Sequence, residues 1–352
     1  VETQIFQWIK GLQERGHVCT VLADRCDDSL KEEEVYKGIP IKRLPFDRMI
    51  AKLDPQAIRP IREYLESIVR EFQPDVIHLN VCVGWGALAF LLFRSLFPMP
   101  IVSTIHSSFF WDGKSIPLIE KFFSAVDQIC CVSNSILQEM ETRLPSFKDR
   151  YRVIHNGLSM PTIAPSPLPF SPPTLLLLGR LRPEKGFDTA LKSFSLLRES
   201  GLDAKLLIAG EGGQLSLLET LVCELGLTDC AEFVGKVAGE EIPSLINRAT
   251  LVVVPSHFEA FGLVALEAMQ MARPVIASRV GGLSELISDG ETGLLIPPRD
   301  PVTLYSTMRD LLTQPEKAIQ MGVQGRKRAA EFTLDQNMMQ YEQLYANLVG
   351  IT

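Results

Sequence analysis

One feature limits this chain more than any other: a strand–helix alternation that runs its whole length and is interrupted once. Ile5, Trp8, Ile9 and Leu12 recur at helical spacing and share one face. Strand signals follow at His17–Leu22, Ile39–Leu44, Val76–Leu79, Ile101–Ile105, 128–132 and 151–154. Helical patterns lie between them over 55–72, 84–97, 114–125 and 133–144. Such alternation predicts parallel sheets with helices on both faces. Asn156–Pro173 breaks the pattern, with six prolines between Pro161 and Pro173, and reads as a semi-rigid linker. Strands are then expected at Thr174–Leu178, Ala204–Ala209, Glu232–Val234, Leu251–Val254, Pro274–Ala277 and 294–296. Helices are expected over 187–200, 214–226, 239–248, 261–271, 282–288, 302–312, 315–331 and 335–349. The predicted organisation is a first α/β domain over 1–157, a linker over 158–173 and a second α/β domain over 174–330. A helix within 331–352 is expected to cross back to the first domain.

Composition excludes several classes. The chain has 352 residues, 46% hydrophobic and 22% charged, enough apolar surface for two cores and too much for disorder. Its net charge is −7 and neither half carries a basic surplus, which argues against a nucleic-acid partner. No run reaches the ~18 apolar residues of a membrane span; the nearest, Val83 to Phe97, contains Arg94. Buried packing is the favoured reading of its Trp85, Phe90, Phe93 and Phe97, and peripheral contact with a membrane is the other. The amphipathic opening, with Glu2, Lys10, Glu14 and Arg15, does not read as a signal peptide. Seven cysteines without Cys-x-x-Cys spacing read as buried, reduced thiols of a cytoplasmic protein. The five histidines show no metal-ligand spacing, and no Asp-x-Asp occurs. Gly84-Trp-Gly86-Ala-Leu-Ala89 matches a dinucleotide fingerprint, but no acidic residue occurs between Val76 and Trp111 to hold a ribose, so close helix–strand packing is its reading.

Two loops carry chemistry. Gly179-Arg180-Leu-Arg182-Pro-Glu184-Lys185-Gly186 connects an apolar strand to a helix. There Arg180 offers a planar fork and Lys185 a point charge to a phosphate. A solvated basic loop is the other reading of the same residues. Pro255-Ser-His257-Phe-Glu259-Ala-Phe261-Gly262-Leu263 again leaves a strand and enters a helix. The helix start around Phe261–Leu263 suits an anion, and Glu259 and Glu267, two helical turns apart, suit hydroxyl donors. A surface position for Glu267 and a helix-dipole role for Glu259 remain open at this point. Ala209-Gly210-Glu211-Gly212, Gly281-Gly282 and Asp289-Gly290-Glu-Thr-Gly293 are further glycine-rich connections expected on the same sheet rim.

With these pieces the chain resembles a family 4 (group 1) retaining glycosyltransferase of the GT-B fold over essentially its whole length. The match includes Phe233-Val234-Gly235, Glu259-x7-Glu267, Glu14-Arg15-Gly16-His17, Pro74-Asp75-Val76-Ile77-His78, His106, Val132-Ser133-x-Ser135 and Ile154-x-Asn156-Gly157. The resemblance implies two Rossmann-like doubly wound domains facing across a cleft. It implies a nucleotide-diphosphate sugar held by the second domain and transferred with retention to a sugar, glycan or lipid acceptor. No cofactor and no essential metal are expected. Arg180 and Lys185 would neutralise the diphosphate, Glu259 would hold sugar hydroxyls, and the amides of Phe261, Gly262 and Leu263 would hold phosphate. Glu267 would hold the ribose, and Gly179, Glu211, Lys236 and Val237 would line the nucleotide site. His106 would reach the donor sugar from the first domain. A peripheral position at the inner membrane face is a further expectation.

The chain departs from the family at its start, where the first helix pattern has no apolar strand or glycine-rich turn before it. The first domain is therefore expected to lack its first, central strand, to be the less stable domain, and to belong to a shortened form. Two other functions stay open: a nucleotide-sugar epimerase, hydrolase or sugar phosphorylase on the same fold, and a nucleotide-sugar-binding fragment impaired in catalysis.

Overall fold

The computed structural model describes residues 2–25, 27–46, 55–80, 85–107 and 116–351. Cys26, Cys82 and Gly84, each part of an expectation above, lie outside them. The chain divides into two compact units, 1–155 with 337–352, and 156–336.

In the first unit, α1 (Glu2–Glu14) buries Trp8, Ile9 and Leu12, the face its periodicity predicts. β1 (Val21–Asp24) runs parallel to β3 (Ile39–Leu44), which pairs antiparallel with β2 (Glu33–Tyr36). The strand expected at His17–Leu22 begins only at Val21, where β3 supplies a partner, and Val18 stays 82% exposed. β2 has no apolar alternation to announce it. It forms through a two-residue turn at Lys37 and Gly38, both at positive φ, the backbone of a tight hairpin. After α2 (Pro55–Phe72), a second, all-parallel sheet is ordered β4 (Ile77–Leu79), β5 (Ile101–Ile105), β6 (Gln128–Cys131) and β7 (Tyr151–Val153). Helices α3 (Trp85–Phe93), α4 (Ile116–Ser124) and α5 (Asn134–Arg143) connect its strands. Among the described residues no strand pairs with the outer edges of β1 and β4, so this unit holds two sheets.

The apolar run 84–97 is shorter as a helix than expected. It ends at Phe93 and tightens into a 3₁₀ turn over Arg94–Leu96, where Arg94 donates to the carbonyls of Ala125 and Phe97. Phe90, Phe93 and Phe97 are buried, and Phe90 meets Phe122 edge-on at 5.5 Å. Among the described residues no helix is long and apolar enough to cross a membrane. The five described cysteines are free. Cys130 and Cys131 are buried, but Cys223 is exposed, contrary to a uniformly buried set.

The helix Leu334–Val349, part of this unit from Asn337 on, is fixed by a buried polar cluster. His78 Nδ1 meets the Tyr345 hydroxyl at 2.6 Å and its Nε2 meets Thr104 Oγ1 at 2.7 Å, while Tyr341 reaches the same Thr104 oxygen at 2.8 Å. Burial pushes His78 down to about 3, so the ring stays neutral and the cluster carries no ionic cost.

The second unit has one six-stranded parallel sheet. Its order is β10 (Ala231–Gly235), β9 (Lys205–Ala209), β8 (Thr174–Leu178), β11 (Leu251–Val254), β12 (Val275–Ser278) and β13 (Leu294–Ile296). In chain order this is 3-2-1-4-5-6, the doubly wound arrangement whose direction of growth reverses between β8 and β11. β8 and β11 are buried almost throughout, as fully covered parallel strands require. α6 (Phe187–Glu199), α7 (Leu215–Glu224), α10 (Pro301–Leu312) and α11 (Pro315–Ala329) help cover the sheet around a core that includes Phe194, Leu197, Leu206 and Met308. The helix expected over 239–248 is a 3₁₀ turn (Gly239–Glu241) followed by α8 (Ile242–Asn247), with Pro243 at its first turn.

The Pro-rich segment is not a free linker. It belongs to the second unit and is held there by Arg273, a residue 1% exposed. The Arg273 guanidinium donates to the Ile246, Met271, Asn247 and Ser166 carbonyls and to the side-chain oxygens of Ser166 and Asn247. Asn247 Nδ2 adds a bond to the Ala164 carbonyl, and Thr250 Oγ1 donates to that of Pro169. Prolines remove backbone donors, and the segment's carbonyls at Ala164, Ser166 and Pro169 are met instead by the side chains of Asn247, Arg273 and Thr250. Composition alone did not show that a partner existed a hundred residues away.

Candidate active site

The point of reversal between β8 and β11 positions the two motif loops, as the fold rule for ligand sites in open α/β sheets requires. Main-chain bonds tie the loops together along the rim. Leu181 N–H donates to the Glu211 carbonyl at 2.9 Å and Gly210 N–H to that of Gly235 at 2.8 Å. His257 N–H donates to the Glu184 carbonyl at 2.8 Å and Gly282 N–H to that of Glu259 at 3.0 Å. Two glycines make the close approach feasible. Gly186 has φ +66°, and a Cβ there would overlap the Pro255 carbonyl oxygen. Gly281 has φ +48°, and a Cβ there would overlap the Glu259 carbonyl oxygen.

On this frame Lys185 Nζ lies 2.6 Å from Glu259 Oε2, an ion pair with side chains 22% and 17% exposed. Ser256 Oγ reaches the same oxygen at 3.4 Å. The sequence motif thus brings together two of its charged residues across 74 positions. Arg180 follows β8 directly and is exposed; among the described residues its guanidinium has no partner. Glu211 and Lys236, on the loops after β9 and β10, pair with each other at 2.7 Å and are largely solvated. Gly179 leads out of β8 and Val237 lies just past β10.

The helix after β11, α9, runs Leu263–Gln270. The start expected at Phe261 is two residues early, because Gly262 adopts φ +108° and is the cap residue. The unpaired first-turn amides are therefore those of Gly262 to Ala265, which keeps the expected Gly262 and Leu263 among them, and Phe261 packs on Phe332. Glu267 lies on this helix among the buried Leu266, Ala268 and Met269. Its carboxyl has no hydrogen-bond or ion-pair partner among the described residues, and burial pushes it up to about 7. Such a group costs stability and is best explained by a ligand that donates to it.

His106 belongs to the first unit, just past β5, where its Nε2 meets Asn80 Oδ1 at 2.8 Å. Burial pushes it down to about 4, which keeps the imidazole neutral. Among the described residues no group of three or more His, Cys, Asp and Glu side chains is arranged to hold a metal ion. Sequence reasoning gave no role to Ser256 or to the His257 amide, and placed Gly281 only in a glycine-rich connection on the rim. The His257 amide and Gly281 act across loop-to-loop contacts, which no local spacing reports, whereas Ser256 meets Glu259 within their shared loop, three residues away.

The doubly wound sheet and its rim loops define an α/β protein of the GT-B type. The model of "Glycosyl transferases group 1" matches residues 162–328, and that of "Glycosyltransferase Family 4" matches residues 1–160. The chain belongs to the group 1, family 4 glycosyltransferases. Glycogen synthase of Mycobacterium tuberculosis is 33% identical over 275 residues, which are 74% of this chain and 64% of that protein. The chain thus spans less than two thirds of that relative. Sucrose-phosphate synthase from Thermosynechococcus elongatus shares the fold with a TM-score of 0.85 at 24% identity, over 99% of this chain and 93% of that one. Anabaena HepE in complex with UDP-glucose superposes with a TM-score of 0.73 at 21% identity, covering 88% and 87%.

Proposed function

We propose that the chain is a retaining glycosyltransferase that moves a sugar from a nucleotide-diphosphate sugar to a sugar, glycan or lipid hydroxyl without an essential metal. The observation that carries this reading is the Lys185–Glu259 pair at the β8/β11 reversal, with the unpartnered Arg180 on the same loop as Lys185. Breaking the bond from the anomeric carbon to the phosphate develops positive charge on the sugar and negative charge on the diphosphate. Arg180, Lys185 and the amides of 262–265 are fixed donors for the second charge, and they stabilise the transition state more than the ground state. Glu259 accepts from sugar hydroxyls, and Glu267 from the ribose. His106, neutral and held by Asn80, is an uncharged partner for a sugar hydroxyl. The Glu259-x7-Glu267 spacing with its upstream cations is the pattern of the retaining enzymes it resembles. The free thiols favour a reducing, cytoplasmic compartment.

HepE holds UDP-glucose in a similar fold, so UDP-glucose is the first donor to test, with the GDP and ADP analogues beside it. Radiolabelled donor and a panel of sugar, glycan and lipid acceptors should give labelled product, undiminished by EDTA. Lys185→Ala should lower turnover by ~10²-fold or more. Release of free sugar alone, or saturable binding with no turnover, would replace transfer by hydrolysis or by simple binding.

A further inference from the structure

We propose that Ser256 is a positioning residue that, with Lys185, fixes Glu259 Oε2 and thereby makes Oε1 the oxygen offered to the donor sugar. This inference rests on the donor-site reading above. Both donors converge on one oxygen: Lys185 Nζ at 2.6 Å and Ser256 Oγ at 3.4 Å. Among the described residues Oε1 has no partner.

Ser256 is 1% exposed, and its hydroxyl has no other partner among the described residues. At such a position an alanine would fill nearly the same space without a polar group to desolvate, so the hydroxyl is accounted for by Glu259. The anchoring also answers a problem of the carboxylate itself. Rotation about its last bond is broad and two-fold, so an unanchored carboxylate offers either oxygen in turn. Here the main chain of Glu259 is held from the β12 side by Gly282 N–H, and its carboxylate from the β8 side by Lys185 and from the end of β11 by Ser256. An ammonium has three donors. Lys185 spends one on Glu259 and keeps two for the diphosphate.

The test compares binding of UDP-, GDP- and ADP-glucose with that of the matching free nucleoside diphosphates by calorimetry. Ser256→Ala should weaken the sugar nucleotide that binds by ~3–10-fold while leaving its free diphosphate within twofold. Ser256→Cys, close in size with a weak donor, should fall between. In a Glu259→Gln background the same serine substitution should change the sugar nucleotide little. Equal weakening of both ligands, or an undiminished effect beside Glu259→Gln, would mean a merely structural serine and overturn the inference. If none of the three sugar nucleotides binds the unaltered chain, the donor-site reading fails and takes this inference with it.

Discussion

Glu267→Gln should stabilise the empty protein and cripple it as a donor site. The carboxyl has no partner among the described residues and burial desolvates it, so its charged form is disfavoured in the folded chain. Raising a carboxyl from 4.5 to about 7 corresponds to about 3 kcal/mol. The sign follows from proton counts. Between the two values the folded chain binds the proton and the unfolded chain does not, so stability falls as pH rises through that window. The burden is about 3 kcal/mol at pH 8, about 1 kcal/mol at pH 5, and close to nothing at pH 4. Glutamine keeps the shape without the ionisation, so the gain should appear at pH 8 and shrink toward pH 5. Denaturant titration of the second unit at these pH values reads it directly. Donor binding carries the complementary signature. Ribose hydroxyls donate to the ionised form, so a sugar nucleotide should bind more tightly as pH rises from 5.5 to 7.5 and then level off. Glu267→Gln should lose both affinity and slope. Identical midpoints for the two proteins at pH 8, or a pH slope that survives the substitution, would refute the assignment of a buried, ligand-seeking carboxylate.

Two further outcomes test the frame. Gly186→Ala forces a left-handed alanine, at ~1–2 kcal/mol, and drives its Cβ into the Pro255 carbonyl, so turnover should fall by more than the loss of stability explains, as seen by assaying well below the melting temperature. Arg273→Met leaves the Ser166 and Met271 carbonyls without their donor and removes one donor from each of the Ile246 and Asn247 carbonyls, so the second unit should lose ~3 kcal/mol or more, and limited proteolysis should cut within 158–173 first; an uncut segment would show that it is held elsewhere.

How much of this was legible before the fold was seen depends on the range of each interaction. The second unit's strands could be read almost residue by residue, because a buried parallel strand must be apolar on both faces and Leu175–Leu177 or Leu251–Val254 can be little else. The site could be read as two loops because strand-to-helix connections with glycine, Arg180, Lys185 and Glu259 are local in sequence. What could not be read is whatever depends on a distant partner. β2 forms because β3 is there to pair with it, not because Glu33–Tyr36 has strand character. The Pro-rich segment is fixed because Arg273 is buried beneath it, and its own composition says only that it lacks donors. The helix after β11 starts at Leu263 because Gly262 turns left-handed, which a glycine permits but does not announce. Ser256 matters only once Lys185 has been brought to the same carboxylate oxygen. Residues that build a site from their own spacing are therefore found by motif, whereas those that aim its charged groups must be found by contact. The second set is where substitutions should change specificity without touching any motif residue.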